Sequence, residues 1–171
     1  MKALVSGGAK NGKSTFSENL IKEICKGENI YYLATMIPKD MEDCERIKRH
    51  REERKDKGFI TIEWGQDLSS IDLDNKGTYL LDSVTALLSN EMFKDGKIYL
   101  DCKEKVLNDL IDISKRVKNI VFVSDYIYSD ANKYDEYSEA YRRSLAYIDL
   151  GLAKICDKVY EVSFGIVKEH K

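Results

Sequence analysis

Proline is almost missing from this chain: Pro38 is the only one in 171 residues. No stretch rich in glycine and serine takes its place, so nothing reads as a flexible linker, and residues 1–171 are expected to form a single domain. No apolar run approaches the ~20 residues of a membrane-spanning helix. Cys25, Cys44, Cys102 and Cys156 are scattered without a CxxC pair, which argues against a zinc site and for free thiols in a reducing compartment. The formal net charge is only −2, so bulk electrostatics offers no attraction to nucleic acid or to a membrane surface. The first residues are strand-like and lack signal-peptide organisation, and a cytoplasmic location is expected. Internal repeats and low-complexity segments are also absent.

What is present is an alternation. Short apolar runs rich in Val, Ile, Leu, Tyr and Phe occur at 2–6, 29–34, 78–82, 119–124 and 158–163 and read as strands. Helical patterns lie between them, at about 13–26, 39–57, 84–93, 103–117 and 135–156. Strands alternating with helices imply an α/β fold with a mostly parallel sheet covered on both faces. The last segment, Val159 to Val167, carries Gly165 between two apolar runs and predicts an antiparallel C-terminal hairpin. Ligands of such sheets bind at the carboxyl ends of the strands. That directs attention to residues 7–14, Thr35, Asp82-Ser83 and Ser124-Asp125.

The first of these segments is the most specific. Gly7-Gly8-Ala9-Lys10-Asn11-Gly12-Lys13-Ser14 matches G-x-x-x-x-G-K-[ST], between a predicted strand and a predicted helix. Glycines let successive backbone N–H groups close around a phosphate, and the helix N-terminus adds partial positive charge. Lys13 is expected to reach the β/γ-phosphates of a nucleoside triphosphate and Ser14 to bind Mg²⁺.

Asp82 ends the apolar run Thr78-Tyr79-Leu80-Leu81 and is a candidate second group for Mg²⁺; a helix cap is the alternative role. Asp125, after Ile120-Val121-Phe122-Val123-Ser124, occupies the same topological position and competes with it. The helix over 39–57 is unusually polar. Met41, Cys44 and Ile47 make one narrow apolar stripe, so one side or one end must be exposed. Glu42, Arg46, His50 and Arg54 recur every four residues and share a face. A neutral imidazole there is a competent nucleophile toward phosphorus, and neighbouring arginines would bind the phosphates and oppose its protonation. A solvated histidine is the plainer alternative. His170, in the C-terminal tail, is expected to be inert.

Four blocks together resemble the bifunctional adenosylcobinamide kinase / adenosylcobinamide-phosphate guanylyltransferase family of cobalamin biosynthesis. They are Gly7 to Ser14; Tyr32-Leu33-Ala34-Thr35; the helix from Asp40 to Arg54 with Glu42, Arg46-Ile47 and His50; and Leu80-Leu81-Asp82-Ser83-Val84-Thr85 followed by Ser89-Asn90. The resemblance implies a P-loop fold, a homotrimer, and two activities. One phosphorylates adenosylcobinamide with GTP or ATP; the other transfers GMP from GTP to that phosphate through a covalent guanylyl-histidine, here His50. The catalytic pair expected on this reading is His50 and Lys13. The nucleotide-binding set is Gly7, Gly8, Ala9, Lys10, Asn11, Gly12, Lys13, Ser14, Thr35, Arg46, Arg54, Glu63 and Asp82, with Ser14 and Asp82 serving Mg²⁺. The chain departs from the family pattern at Arg49, at Arg54-Lys55, at Asp125 to Tyr128, at Tyr141-Arg142-Arg143 and at Asp149-Leu150. A P-loop kinase without guanylyl transfer and a non-catalytic nucleotide-binding protein are the other readings.

Overall fold

In a computed structural model, seven strands among the described residues form one sheet in the order β3-β2-β4-β5-β1-β6-β7. The structure describes every residue except Lys39 and Asp56, and for Arg46, His50, Glu53 and Lys55 only the backbone. The strands are β1 (Lys2–Gly7), β2 (Ile30–Ala34), β3 (Ile60–Glu63), β4 (Thr78–Asp82), β5 (Asn119–Asp125), β6 (Lys158–Ser163) and β7 (Ile166–Glu169). The helices are α1 (Lys13–Ile24), α2 (Met41–Lys55), α3 (Val84–Met92), α4 (Lys103–Arg116) and α5 (Glu136–Ile155), with a short 3₁₀ turn at Leu68–Ser70.

All ladders are parallel except β6–β7, so the expected parallel sheet and its antiparallel terminal hairpin are both present. Strands β4 and β5, apolar through Tyr79–Leu81 and Ile120–Val123, are central and buried on both faces, as continuous apolar runs require. Sequence reading does not anticipate β3. Its Ile-Thr-Ile-Glu run is four residues long, lies at the sheet edge, and leaves Ile60 exposed, so its apolar signal is weak.

Two cores flank the sheet. Leu20, Ile21 and Phe59 pack with Ala3, Val5, Leu80 and Val121 on the α1 face. Leu4, Leu81, Ile120 and Phe122 pack with α3, α4 and α5 on the other. Adjacent strands β1 and β5 thus send their following helices to opposite faces, which opens a crevice at their carboxyl ends. No described side chain of helix α2 joins either core. Met41 is 77% exposed and Cys44 is also exposed, so of the expected apolar stripe only Ile47 turns inward.

Candidate nucleotide site

The P-loop follows from backbone constraints. Gly12 caps α1 at φ 93°, a left-handed conformation that glycine adopts without a Cβ penalty. At Gly7 a Cβ would collide with the carbonyl oxygen of Val162 on the neighbouring strand. Asn11 braces the loop from the hairpin side: its side-chain oxygen accepts from the Phe164 amide at 3.0 Å, and its carbonyl accepts from the Gly165 amide at 3.1 Å. The β6–β7 turn is therefore a prop for the loop, a role that only the tertiary structure reveals.

Lys13 is buried, and its Nζ donates to the Gly8 carbonyl at 2.7 Å and pairs with Asp125 Oδ1 at 2.8 Å. Gly7 and Asp125 are register partners across β1 and β5, which is why this ion pair spans the crevice. The Asp125 amide is held in turn by Thr85 Oγ1 at 2.9 Å, and Tyr141 donates to the Thr85 carbonyl at 2.8 Å.

Asp82 is not a helix cap. Ser83 takes that role, its Oγ accepting from the Ala86 amide at 3.1 Å. Asp82 instead accepts a hydrogen bond from the Tyr32 hydroxyl. Burial raises its carboxyl above the ordinary value, the Tyr32 hydrogen bond opposes this, and the negative charge of Asp125 adds to the rise.

A cavity of about 470 Å³ collects Ser14, Arg54, Glu63, Asp82 and Asp125 at the carboxyl edge of the sheet. Arg54 reaches it from the end of α2. It is 7% exposed, stacks over the Tyr32 ring at 3.9 Å, and its Nε has no hydrogen-bond partner among the described residues. A buried guanidinium with an unused donor is a receptor for an anion. Glu63 also lines the cavity and lies 3.6 Å from Arg51.

Thr35 is placed differently from the expectation. It is fully buried, its hydroxyl donating to the Ser83 carbonyl and accepting from the Ser83 amide, both at 2.7 Å. Thr35 thus ties the end of β2 to the end of β4, and Asn90 of α3, donating to the Thr35 and Gly65 carbonyls at 2.7 and 3.0 Å, ties it to the segment after β3. Ala9 and Lys10 lie exposed in the loop, Lys10 at φ 56°. The expectations for Arg46 and His50 fall on side chains outside the described residues. Sequence reading names Tyr32 and Tyr141 but assigns neither a role in the site: Tyr32 lies in an apolar run that reads as core, and Tyr141 sits in a polar helix segment with no motif around it.

Ser14 and Asp82 fit Mg²⁺ in one respect: a carboxylate disfavoured by burial and a hydroxyl border the same cavity. Among the described residues no group of three or more His, Cys, Asp or Glu could hold a metal. An ion here would take its remaining ligands from phosphate and water, as Mg²⁺ does in phosphoryl-transfer sites.

The fold and the loop together define a P-loop nucleotide-binding protein. Solved structures agree on the architecture. The flagellar accessory protein FlaH from Methanocaldococcus jannaschii superposes with TM-score 0.53 at 13% identity, over 98% of this chain and 75% of that one. A second solved structure, an ATPase domain, gives TM-score 0.52 at 11% identity, over 94% of this chain and 68% of that one. More specifically, the family described as cobinamide kinase / cobinamide phosphate guanyltransferase matches residues 3–169, and the chain belongs to that family. The bifunctional adenosylcobalamin biosynthesis protein CobU of Escherichia coli (strain K12) is 34% identical over 99 residues, which is 56% of this chain and 52% of that protein. The similarity thus spans about half the length of that relative.

Proposed function

We propose that this chain phosphorylates adenosylcobinamide with GTP or ATP and transfers GMP from GTP to adenosylcobinamide phosphate, residues 1–171 working as one nucleotide-binding domain. One observation carries the reading most: the same cavity joins the P-loop end of α1 to a buried, anion-seeking arginine from α2. That geometry suits a triphosphate gripped at one end by Lys13 and from the side by Arg54. Family membership supplies the acceptor class.

In the kinase step the acceptor hydroxyl attacks the γ-phosphorus, the nucleoside diphosphate leaves, and the hydroxyl proton passes to solvent or to a carboxylate of the cavity. Lys13 must give up its contact with Asp125 to hold the β/γ-phosphates. In the transfer step His50 attacks the α-phosphorus and pyrophosphate leaves; the acceptor phosphate then displaces the imidazole and takes up GMP. The role of His50 as nucleophile rests on the resemblance of the Arg46-Ile47 to Arg54 block to the family. Mg²⁺ held by Ser14 and Asp82 would neutralise phosphate charge in both steps. A cytoplasmic homotrimer completes the proposal. Among the described residues no helix is long and apolar enough to cross a membrane, and a polar helix with little core contact suits a role at a neighbouring subunit.

The decisive experiment uses α-labelled GTP and Mg²⁺, followed by denaturation. Label retained by the wild type and lost in His50→Ala is expected. Undiminished label in the variant removes the nucleophile. Absent label with intact phosphorylation of adenosylcobinamide leaves a kinase alone. Loss of neither activity in Lys13→Ala would overturn the P-loop assignment.

A further inference from the structure

A second cavity, of about 590 Å³, lies on the sheet face opposite α1, between the second half of α5 and strands β1 and β6. Three features of it are unusual together. Asp149, 4% exposed, is a buried carboxylate without a cation among the described residues: Oδ2 accepts from Ser124 Oγ and from the Tyr128 hydroxyl, each at 2.9 Å, and Oδ1 has no partner among them. The Ser6 hydroxyl, on the neighbouring strand, is also buried and unpartnered among the described residues. The walls include Tyr126 and Tyr128, meeting edge to face at 5.0 Å, whereas Tyr160 borders the space from β6 with its ring turned to the α1 face, against Phe16 at 5.1 Å. The other carboxylate at the cavity is Glu161, bonded to His170 at 2.9 Å, and no lysine or arginine among the described residues lines the space.

A buried carboxylate costs several kcal/mol unless a cation or full hydrogen bonding compensates it. Two hydroxyl donors on one oxygen compensate it in part, and its pKa, pushed up to about 6 by burial, records the remaining deficit. Aromatic faces attract cations, and the aliphatic surface beside them favours an apolar body on the same molecule. Two carboxylates disfavour an anion. A bare metal ion would find one free carboxylate oxygen and hydroxyls against an apolar wall, a poor oxygen shell.

We propose that this cavity is a binding site for a small organic ammonium compound, its –NH₃⁺ set against Asp149 and its aliphatic body against Tyr126 and Tyr128. The site is separate from the nucleotide cavity. The two flank the carboxyl end of β5, with its last residue Asp125 lining one and the next, Tyr126, the other.

The probe is n-butylammonium chloride, titrated into the intact protein while the backbone amide NMR shifts of residues 6, 126 and 149 are followed. 1-Butanol and potassium chloride at matched ionic strength are the controls. Saturable shifts with butylammonium alone are expected, weakened at least about tenfold in Asp149→Asn. Tyr126→Ala, a change at an exposed ring, should weaken binding without disturbing the fold, and it serves if Asp149→Asn does not fold. The proposal is overturned by the absence of saturable shifts, by equal binding of 1-butanol or potassium, or by unchanged affinity in the folded variants.

Discussion

Strand β1 buries residues on both faces of the central sheet and helix α1 packs on one of them, whereas α2 leaves Met41 77% exposed and meets the fold mainly through Ile47 and Arg54. Both elements deliver groups to one cavity. The first holds its groups by backbone constraint: a loop wedged against Val162, propped by the Phe164–Gly165 turn, with Lys13 tied to Gly8 and Asp125. The second holds Arg54 against Tyr32 and beside the Asp82 charge, at the end of a polar rod. Phosphate binding at a P-loop needs a rigid nest of N–H groups, and packing supplies that rigidity. A helix with so little apolar burial is stabilised weakly by the fold and has more freedom to adjust when a ligand or another subunit arrives.

The largest effect should come from breaking the rigid side. Gly7→Ala drives a methyl group into the Val162 carbonyl, and chemical denaturation should show a loss of about 3 kcal/mol. A stability within experimental error of wild type would mean that β1 and β6 are not held as closely as the structure has them.

Asp149 gives an effect of similar size with a pH signature. Burial lifts its pKa from 3.8 to about 6, so between those values the folded state holds a proton that the unfolded state has released. Stability from this group is therefore full below about pH 4, falls as pH rises through 6, and stays low above it. Asp149→Asn should flatten that fall and raise stability at pH 8 by on the order of 3 kcal/mol, read from melts across pH 3.5–8.

On the α2 side the effects should be functional. Arg54→Ala should weaken triphosphate binding about tenfold by calorimetry, since it removes one charged contact from a site that keeps Lys13. Unchanged affinity would detach α2 from the nucleotide. Met41→Ala should be smallest, shifting stability by less than about 0.5 kcal/mol, because the side chain is already in solvent. A loss of 1 kcal/mol or more would show that a partner covers this helix in solution.

Most of this organisation is legible along the chain. The two periodicities separate strands from helices, and the loop at residues 7–14 announces itself by glycine spacing and its flanks. The hairpin around Gly165 is legible for the same reason. The edge strand β3 is not, because four residues at a sheet edge carry too little apolar patterning to stand out from a loop. Asp82 and Asp125 are equivalent along the chain, each closing an apolar run. The structure separates them: one accepts from Tyr32 and the other pairs with Lys13. Thr35 sits at a strand end, as ligand-binding residues do, yet its hydroxyl is consumed by Ser83.

Local sequence determines which residues can carry charge, turn tightly or bury themselves, because those properties belong to the side chain and its near neighbours. It is enough to specify a phosphate-binding loop, a parallel sheet and a polar helix. Which groups meet is a matter of register and of which face each helix takes. Only the packed sheet sets Gly7 against Asp125, stacks Arg54 on Tyr32, and closes Asp149 into a cavity with one carboxylate oxygen unpartnered among the described residues. Those pairings join residues far apart in the chain, and their energies depend on burial that no single segment creates.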